Sequence, residues 1–291
     1  MSVLARLREI ETAGGGPILV FAASRLDIDL LPPLYDILCG IGRVPRLQVV
    51  VQCRGGDTNA ARRIALLLHE FADEVVFVVP HFCESAGTVM ALAAHRIVAG
   101  PVAIFSPIDP QLSAEAGGSG PSSMSVQDLR QFWRMTQDWF GLDEATAKSH
   151  ALQALAHSIF PTTLTSFHRC ALEVQAMGEE LLARHMADQP AEMRTRIVDT
   201  LLHGFHSHSH ALTRDDLRRI GLPVVSDPTL EDAAWALVRG LRGHVGPETR
   251  GDEESPWFDA ALLTATQALR RQRDFRTPMP RWSTFDPEVA S

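Results

Sequence analysis

The feature that most constrains this chain is an alternation of short apolar runs with helically spaced segments over its first hundred residues. Residues 17–23 (PILVFAA), 47–53 (LQVVVQC) and 74–80 (EVVFVVP) are compact runs rich in β-branched residues, which read as buried strands. Between them, 30–41 has helical spacing, with Pro32 and Pro33 expected to delay the helix start until after them. Residues 58–71 form a second helical segment, capped by Asp57 or Thr58, and 85–94 a third. An extended pattern resumes at 97–105. A β-α-β-α-β series implies an α/β fold with a parallel sheet and right-handed crossovers.

That topology places chemistry. Three loops follow successive strand segments: Arg54-Gly55-Gly56-Asp57, His81 to Gly87, and Ser106 to Gln111. In a parallel sheet they emerge at one carboxyl edge, where open α/β sheets hold their sites. Neighbouring strands lie about 4.8 Å apart, so the loops can converge on one ligand. Gly55 and Gly56 lack Cβ atoms, and their N–H groups can approach a ligand or simply make a tight turn. Ser85 stands between a strand and a helix of small residues, where it is either an N-cap or a group placed in the helix-terminal field. Cys83 occupies the first position of what would be a G-x-S-x-G elbow, so an α/β-hydrolase is disfavoured.

Beyond this unit, 113–125 (SAEAGGSGPSSMS) reads as a flexible loop. Helical patterns follow at 126–140, 143–158, 164–187 and 191–202. A further helix starts at Thr213, which with Asp216 resembles a capping box, and another covers 229–242. The expected organisation is one α/β domain over 1–242, a linker over 243–256, and a C-terminal helix and tail over 257–291. The arginines of that last segment, Arg270, Arg271, Arg273 and Arg276, read as a solvated face in preference to a dock for an acidic partner.

Composition removes several classes. The net charge of −8 argues against bulk electrostatic binding of nucleic acid or an anionic membrane. No apolar run is long enough to span a bilayer, and the start MSVLARLREIE lacks a signal-peptide stretch, so a cytoplasmic location is expected. Cys39, Cys53, Cys83 and Cys170 are widely spaced and read as reduced, mostly buried thiols. Of 27 basic residues only Lys148 is a lysine, and it follows Ala147, so a phosphate-binding P-loop is excluded. His203, His206, His208 and His210 cluster before the capped helix. Alternating histidines on extended chain point to opposite faces, and no Cys or carboxylate lies close by, so a metal site is disfavoured. A catalytic base among exposed neighbours, or a plain polar loop, remain the other readings.

Taken together, RGGDTNAARRIALLLHEF, VVFVVPHFCESAGTVMALAAHRIVAG and FSPIDPQL resemble the serine dehydrogenase proteinase family of the Clp protease/crotonase superfamily, with signal peptide peptidase A a more distant relative. A weaker similarity covers His208 and the following DDLRRIGLPV. The resemblance implies stacked β-α units with a largely helical second half. It implies Ser85 as nucleophile, with Gly55 or Gly56 and Ala86 as backbone donors of an oxyanion hole, a device typically worth ~3–4 kcal/mol. It also suggests His208 as general base, with Asp109 orienting it, and Lys148 as the alternative base. Asp109 between two prolines is otherwise a turn former. Arg54 departs from the proline common at this point in relatives, and could bring charge to the cleft.

The expected activity is therefore a serine peptidase acting through an acyl-enzyme on a peptide or protein substrate, without metal or cofactor. It would act as a homo-oligomer and could depend on a separate unfoldase or activator. The rival readings are a crotonase-type acyl-CoA enzyme and a non-catalytic interaction protein on the same fold.

Overall fold

The computed structural model describes residues 2–115, 121–277 and 279–288. Its first part runs α1 (Val3–Gly14), β1 (Ile18–Ala23), α2 (Leu31–Ile41), β2 (Val44–Cys53), α3 (Thr58–Phe71), β3 (Ala72–Val79), β4 (Phe82–Cys83), α4 (Ala86–Ala91), β5 (Arg96–Ala99) and β6 (Ile104–Phe105). The second part runs β7 (Gln111–Glu115), β8 (Pro121–Ser125), α5 (Val126–Phe140), α6 (Glu144–Ser158), α7 (Pro161–Leu182), α8 (Ala191–His203), α9 (Arg214–Ile220), β9 (Val224–Val225), α10 (Pro228–Leu241), β10 (Trp257–Leu263), β11 (Ala268–Arg273) and β12 (Arg281–Thr284).

The expected parallel sheet is present. Its main path is β12-β11-β10-β1-β2-β3-β5-β9, and all pairings from β1 to β9 along it are parallel. Successive side chains of the central strands enter opposite layers. Leu19, Phe21, Val49, Val51, Val75 and Phe77 face α2, α3, α4, α7 and α8, while Ile18, Val20, Val50, Val76 and Val78 face α1 and α10. Burial on both faces explains why these strands are unbroken apolar runs rather than alternating ones. Pro32 and Pro33 sit inside the first turn of α2 rather than before it. The first turn leaves its N–H groups unbonded in any case, so a missing proline N–H costs little there.

Two sequence expectations fail. Of residues 113–125, read as a flexible loop, 116–120 lie outside the described residues, and the flanking residues belong to β7 and β8, which pair antiparallel (Gln111 opposite Ser125). Segment 257–274, read as a helix, is instead β10 and β11, which extend the same sheet antiparallel from β1 (Val20 opposite Leu263) and β10 (Leu262 opposite Leu269). The open edge of β1 offers a full ladder of backbone partners, and that outweighs the local helical propensity of ALLTATQALRR. Residues 243–256 therefore connect α10 to β10 within one sheet, and no separate C-terminal helix exists among the described residues. No helix among the described residues is long and apolar enough to cross a membrane.

At the amino edge of the sheet three histidines meet. The ring centroids of His69 and His95 are 5.2 Å apart, and those of His95 and His185 are 5.9 Å apart. His69 Nε2 and His185 Nε2 bond the carbonyls of Ala93 and Leu92, and His95 Nδ1 accepts the N–H of Val75. Burial holds all three imidazoles below their ordinary value of 6.5. Neutral in the fold, they take up protons more readily once unfolded. Their contribution is therefore intact above that value and lost as pH falls below it. Thermal midpoints are expected to drop between about pH 7.5 and about pH 5.5, with a shallower drop in His185→Gln. Equal slopes for the two proteins would refute this.

Candidate active site

The short strands β4 and β6 decide where the loops meet. β4 pairs with the end of β2 and β6 pairs with β4, both parallel, with Cys53, Cys83 and Phe105 in one register row. The segments Gly55–Gly56, Glu84–Ser85 and Ser106–Pro107 thus leave the sheet side by side at its carboxyl edge.

Ser85 carries the most unusual backbone in the chain. It has φ 52° and ψ −115°, and among the described residues it is the one non-glycine with positive φ. Such a conformation costs ~1–3 kcal/mol and persists only where the surroundings over-determine it. Here they do. The Ser85 N–H donates to Ser106 Oγ at 2.7 Å, and Thr88 Oγ1 donates to the Cys83 carbonyl at 2.8 Å while accepting the Ser106 N–H at 3.2 Å. Ser85 occupies the N-cap position of α4, yet its side chain makes no capping bond, and its hydroxyl has no hydrogen-bond partner among the described residues. A serine kept only to cap the helix would spend that hydroxyl on the first turn.

Gly55 and Gly56 face this serine. Gly55 has φ 100°, and a Cβ there would stand 2.9 Å from Ser85 Cβ. Its N–H already donates to Cys53 Sγ at 3.2 Å. The N–H groups of Gly56 and Ala86 have no acceptor among the described residues, so these two are available to a developing anion. The glycine turn is gripped from the β1 side: Leu26 N–H donates to the Gly55 carbonyl (2.7 Å), and Asp57 N–H to the Leu26 carbonyl (2.9 Å). Gly56 has φ 136°, and a Cβ would meet the Leu26 carbonyl oxygen at 2.4 Å. Gly56→Ala is expected to displace the turn and cut turnover ~10²–10³-fold, as loss of one oxyanion donor does. Wild-type turnover in that variant would show that this N–H is not used.

Asp109 and His208 come together. His208 Nδ1 lies 2.9 Å from Asp109 Oδ1, and Ser125 Oγ donates to Asp109 Oδ2. Asp109 is 4% exposed. Burial alone would push its carboxyl up, but the hydrogen bonds from His208 and Ser125 outweigh that and hold it below the ordinary carboxylate range. An anionic Asp109 at Nδ1 keeps that nitrogen protonated and leaves Nε2 as the basic atom. Burial raises the carboxyl of Glu84, the neighbour of Ser85, against the opposing pull of Arg54 and His208. No hydrogen bond joins Ser85 and His208 here, and such bonds commonly close only once substrate is bound.

Of the other three loop histidines, His210 stacks on Phe205 at 5.0 Å, His203 lies 3.9 Å from Asp199, and His206 is exposed. Lys148 pairs with Glu144 one turn earlier on α6 and sits over the Trp133 ring at 4.7 Å, with no contact to Ser85. Cys53 and Cys83, beside the serine, are no rival nucleophiles: burial pushes the Cys53 thiol up to about 12 and Cys83 well above its usual value.

Sequence reasoning missed several supporting residues. Ser106 and Thr88 hold the Ser85 turn. Ser125 caps α5 and carries Asp109, while Gln127 Nε2 donates to the carbonyls of His203 (3.3 Å) and Phe205 (3.2 Å), tethering the histidine loop. The spacing Ser125-x-x-Asp128 is a legible capping signal, but nothing local connects it to Asp109. The arginine cluster also differs from expectation. Arg271 is fully buried, bonding both carboxylate oxygens of Asp259 (2.8 and 2.9 Å) and Asp27 Oδ1 (2.6 Å), and Arg273 bonds the same two acids. Arg271 and Arg273 therefore belong neither to a solvated face nor to a dock, a buried guanidinium being tolerated when its nitrogens meet carboxylates, whereas Arg276 is exposed as expected.

The stretch that carries the strained serine and the glycine turn is similar to a known family. Residues 37–128 match the family of ClpP-like SDH-type serine proteinases. The SDH-type match spans Gly55, Gly56, Ser85, Ala86, Asp109 and Ser125, and His208 lies outside it. Two uncharacterised proteins of Methanocaldococcus jannaschii are similar over longer stretches. MJ0137 is 27% identical over 206 residues (70% of this chain and 62% of the relative), and MJ1495 is 24% identical over 238 residues (77% and 72%). The chain thus spans less than two thirds of the first relative's length. Among solved structures, the membrane-bound stomatin-specific protease 1510-N with a substrate peptide is similar at TM-score 0.43 and 14% identity, covering 78% of this chain and 80% of that one. ClpP1 from Listeria monocytogenes is similar at TM-score 0.41 and 14% identity, covering 77% and 97%.

Proposed function

We propose that this protein is a serine-type peptidase that cleaves peptide bonds through an acyl-enzyme on Ser85. The observation that carries the reading is the Ser85 backbone: a strained turn holds a hydroxyl with no structural partner beside two unbonded N–H groups. Ser85 Oγ attacks the scissile carbonyl carbon while His208 Nε2 takes its proton. The carbonyl oxygen, now anionic, is met by the N–H groups of Gly56 and Ala86. His208 then returns the proton to the leaving amine, and the C–N bond breaks. Water, deprotonated by the same imidazole, releases the acid and restores Ser85. Asp109 stays ionised throughout, holding the tautomer and stabilising the imidazolium.

The test is covalent. Incubation of the purified chain with a fluorophosphonate, followed by peptide mass spectrometry, is expected to place the adduct on Ser85. Absence of an adduct at any pH from about 6 to about 9 would overturn the nucleophile assignment.

A further inference from the structure

A cavity of about 310 Å³ opens beside the glycine turn, on the face of the sheet covered by α10. Its apolar wall includes Ala22, Val238 and Leu241, and its polar wall includes Gln52, Arg54, His81 and Arg242. Each arginine lies over an aromatic ring, Arg54 closely and Arg242 more loosely. Arg54 Cζ lies 3.6 Å from the Phe82 ring centre, and Arg242 Cζ lies 5.9 Å from that of Trp235. His81 bridges the two rings, 3.6 Å from Phe82 and 5.8 Å from Trp235. A guanidinium stacked on an aromatic face keeps its in-plane N–H fork free. Neither arginine makes a hydrogen bond to a described residue, and the one ion pair between them and the described residues, Arg54 to Glu84, is long at 3.9 Å. Glu248 also lines the cavity but pairs with neither arginine, and Glu84, which does not line it, is the one described carboxylate within ion-pair distance of Arg54. The arginines' combined field is felt by His81, which burial, then Arg54 and Arg242, keep below the usual imidazole range.

We propose that this cavity is a substrate pocket that selects a peptide carboxylate near the bond to be cut. The inference rests on the peptidase reading for its purpose. Arg54 immediately precedes Gly55, so a peptide whose carbonyl reaches the Gly56 and Ala86 donors passes the cavity mouth. An extended chain advances about 3.3 Å per residue, and the residue involved is therefore close to the scissile bond. The aliphatic wall takes the methylenes of the side chain, and the two forks take the carboxylate in charge-assisted bonds. That carboxylate is an Asp or Glu side chain, or the carboxyl terminus of the peptide.

The experiment is binding to full-length Ser85→Ala protein, which separates this proposal from catalysis. Three rhodamine-labelled peptides of otherwise identical small neutral residues are compared by anisotropy. One has an internal Glu and an amidated terminus, one has Gln and an amidated terminus, and one has Gln and a free carboxyl terminus. At least ~10-fold tighter binding of a carboxylate-bearing peptide than of the neutral one is expected, and which peptide gains identifies the source. Arg242→Glu should abolish the preference, and Arg54→Gln serves as the independent second variant. Equal binding of all three peptides, or no measurable binding of any, would overturn the pocket. An unchanged preference in both variants would do the same. Failure of the fluorophosphonate adduct on wild-type protein would instead overturn the Ser85 reading, so the two failures are distinguishable.

Discussion

Ser85→Ala is expected to lower peptide hydrolysis by roughly four to six orders of magnitude, with His208→Ala close behind and the double variant no worse than Ser85→Ala alone. The reason is that in the proposed mechanism the two groups perform one step. Without a base near neutral pH the Ser85 hydroxyl stays protonated, and without the hydroxyl the His208 imidazole has no proton to take. The backbone donors at Gly56 and Ala86 remain in either variant, so some rate above the uncatalysed reaction should survive. Asp109→Asn should fall by about 10⁴, because an amide can present its N–H to Nδ1 and stabilise the wrong tautomer. Lys148→Ala should match wild type, since that lysine is engaged with Glu144 and Trp133. Rates on an unstructured protein substrate decide the matter. Losses that multiply in the double variant, or a large loss in Lys148→Ala, would remove His208 as the base.

The second large effect is on stability. Arg271→Met leaves Asp259, itself 1% exposed, with Arg273 as its remaining described cationic partner. Breaking a buried pair by removing one member typically costs ~3–5 kcal/mol, because the surviving charge is left uncompensated. Urea denaturation should show that loss with little change in the slope. The damage should also reach activity. Asp27, held by Arg271 and Arg273, directly follows Leu26, whose backbone grips both sides of the Gly55–Gly56 turn. A loss below about 1 kcal/mol would mean that Arg273 alone satisfies both acids.

The geometry also explains which residue types the turn demands. Gly55 is glycine because Ser85 occupies the space of its Cβ, and Gly56 because the Leu26 backbone does. The nucleophile candidate and its donors thus constrain each other sterically.

Much of this was legible from residues alone. Apolar runs long enough for buried strands, separated by capped helices, dictate a parallel sheet. A parallel sheet sends the loops after its successive strands to one edge, so Gly55, Gly56, Ser85 and Asp109 group together from the sequence pattern. Thr213 and Asp216 form the capping box that their spacing implies, since such bonds span three residues and need no tertiary partner. What the tertiary structure alone decided was everything whose partners are far apart in the chain. Arg271 meets Asp27 across 244 positions, and the contact of Asp109 with His208 across 99, suggested beforehand only by the family resemblance, has no signal in either residue's own neighbourhood. Segment 257–273 is strand because the edge of β1 was open to it, a fact absent from its own propensities. The choice of Gly56 and Ala86 over Gly55 as free donors turns on one thiol, Cys53 Sγ, that happens to take the Gly55 N–H. Local chemistry writes the periodicity and the caps, whereas which buried charge meets which, and which donor stays free, follows only from packing distant segments together.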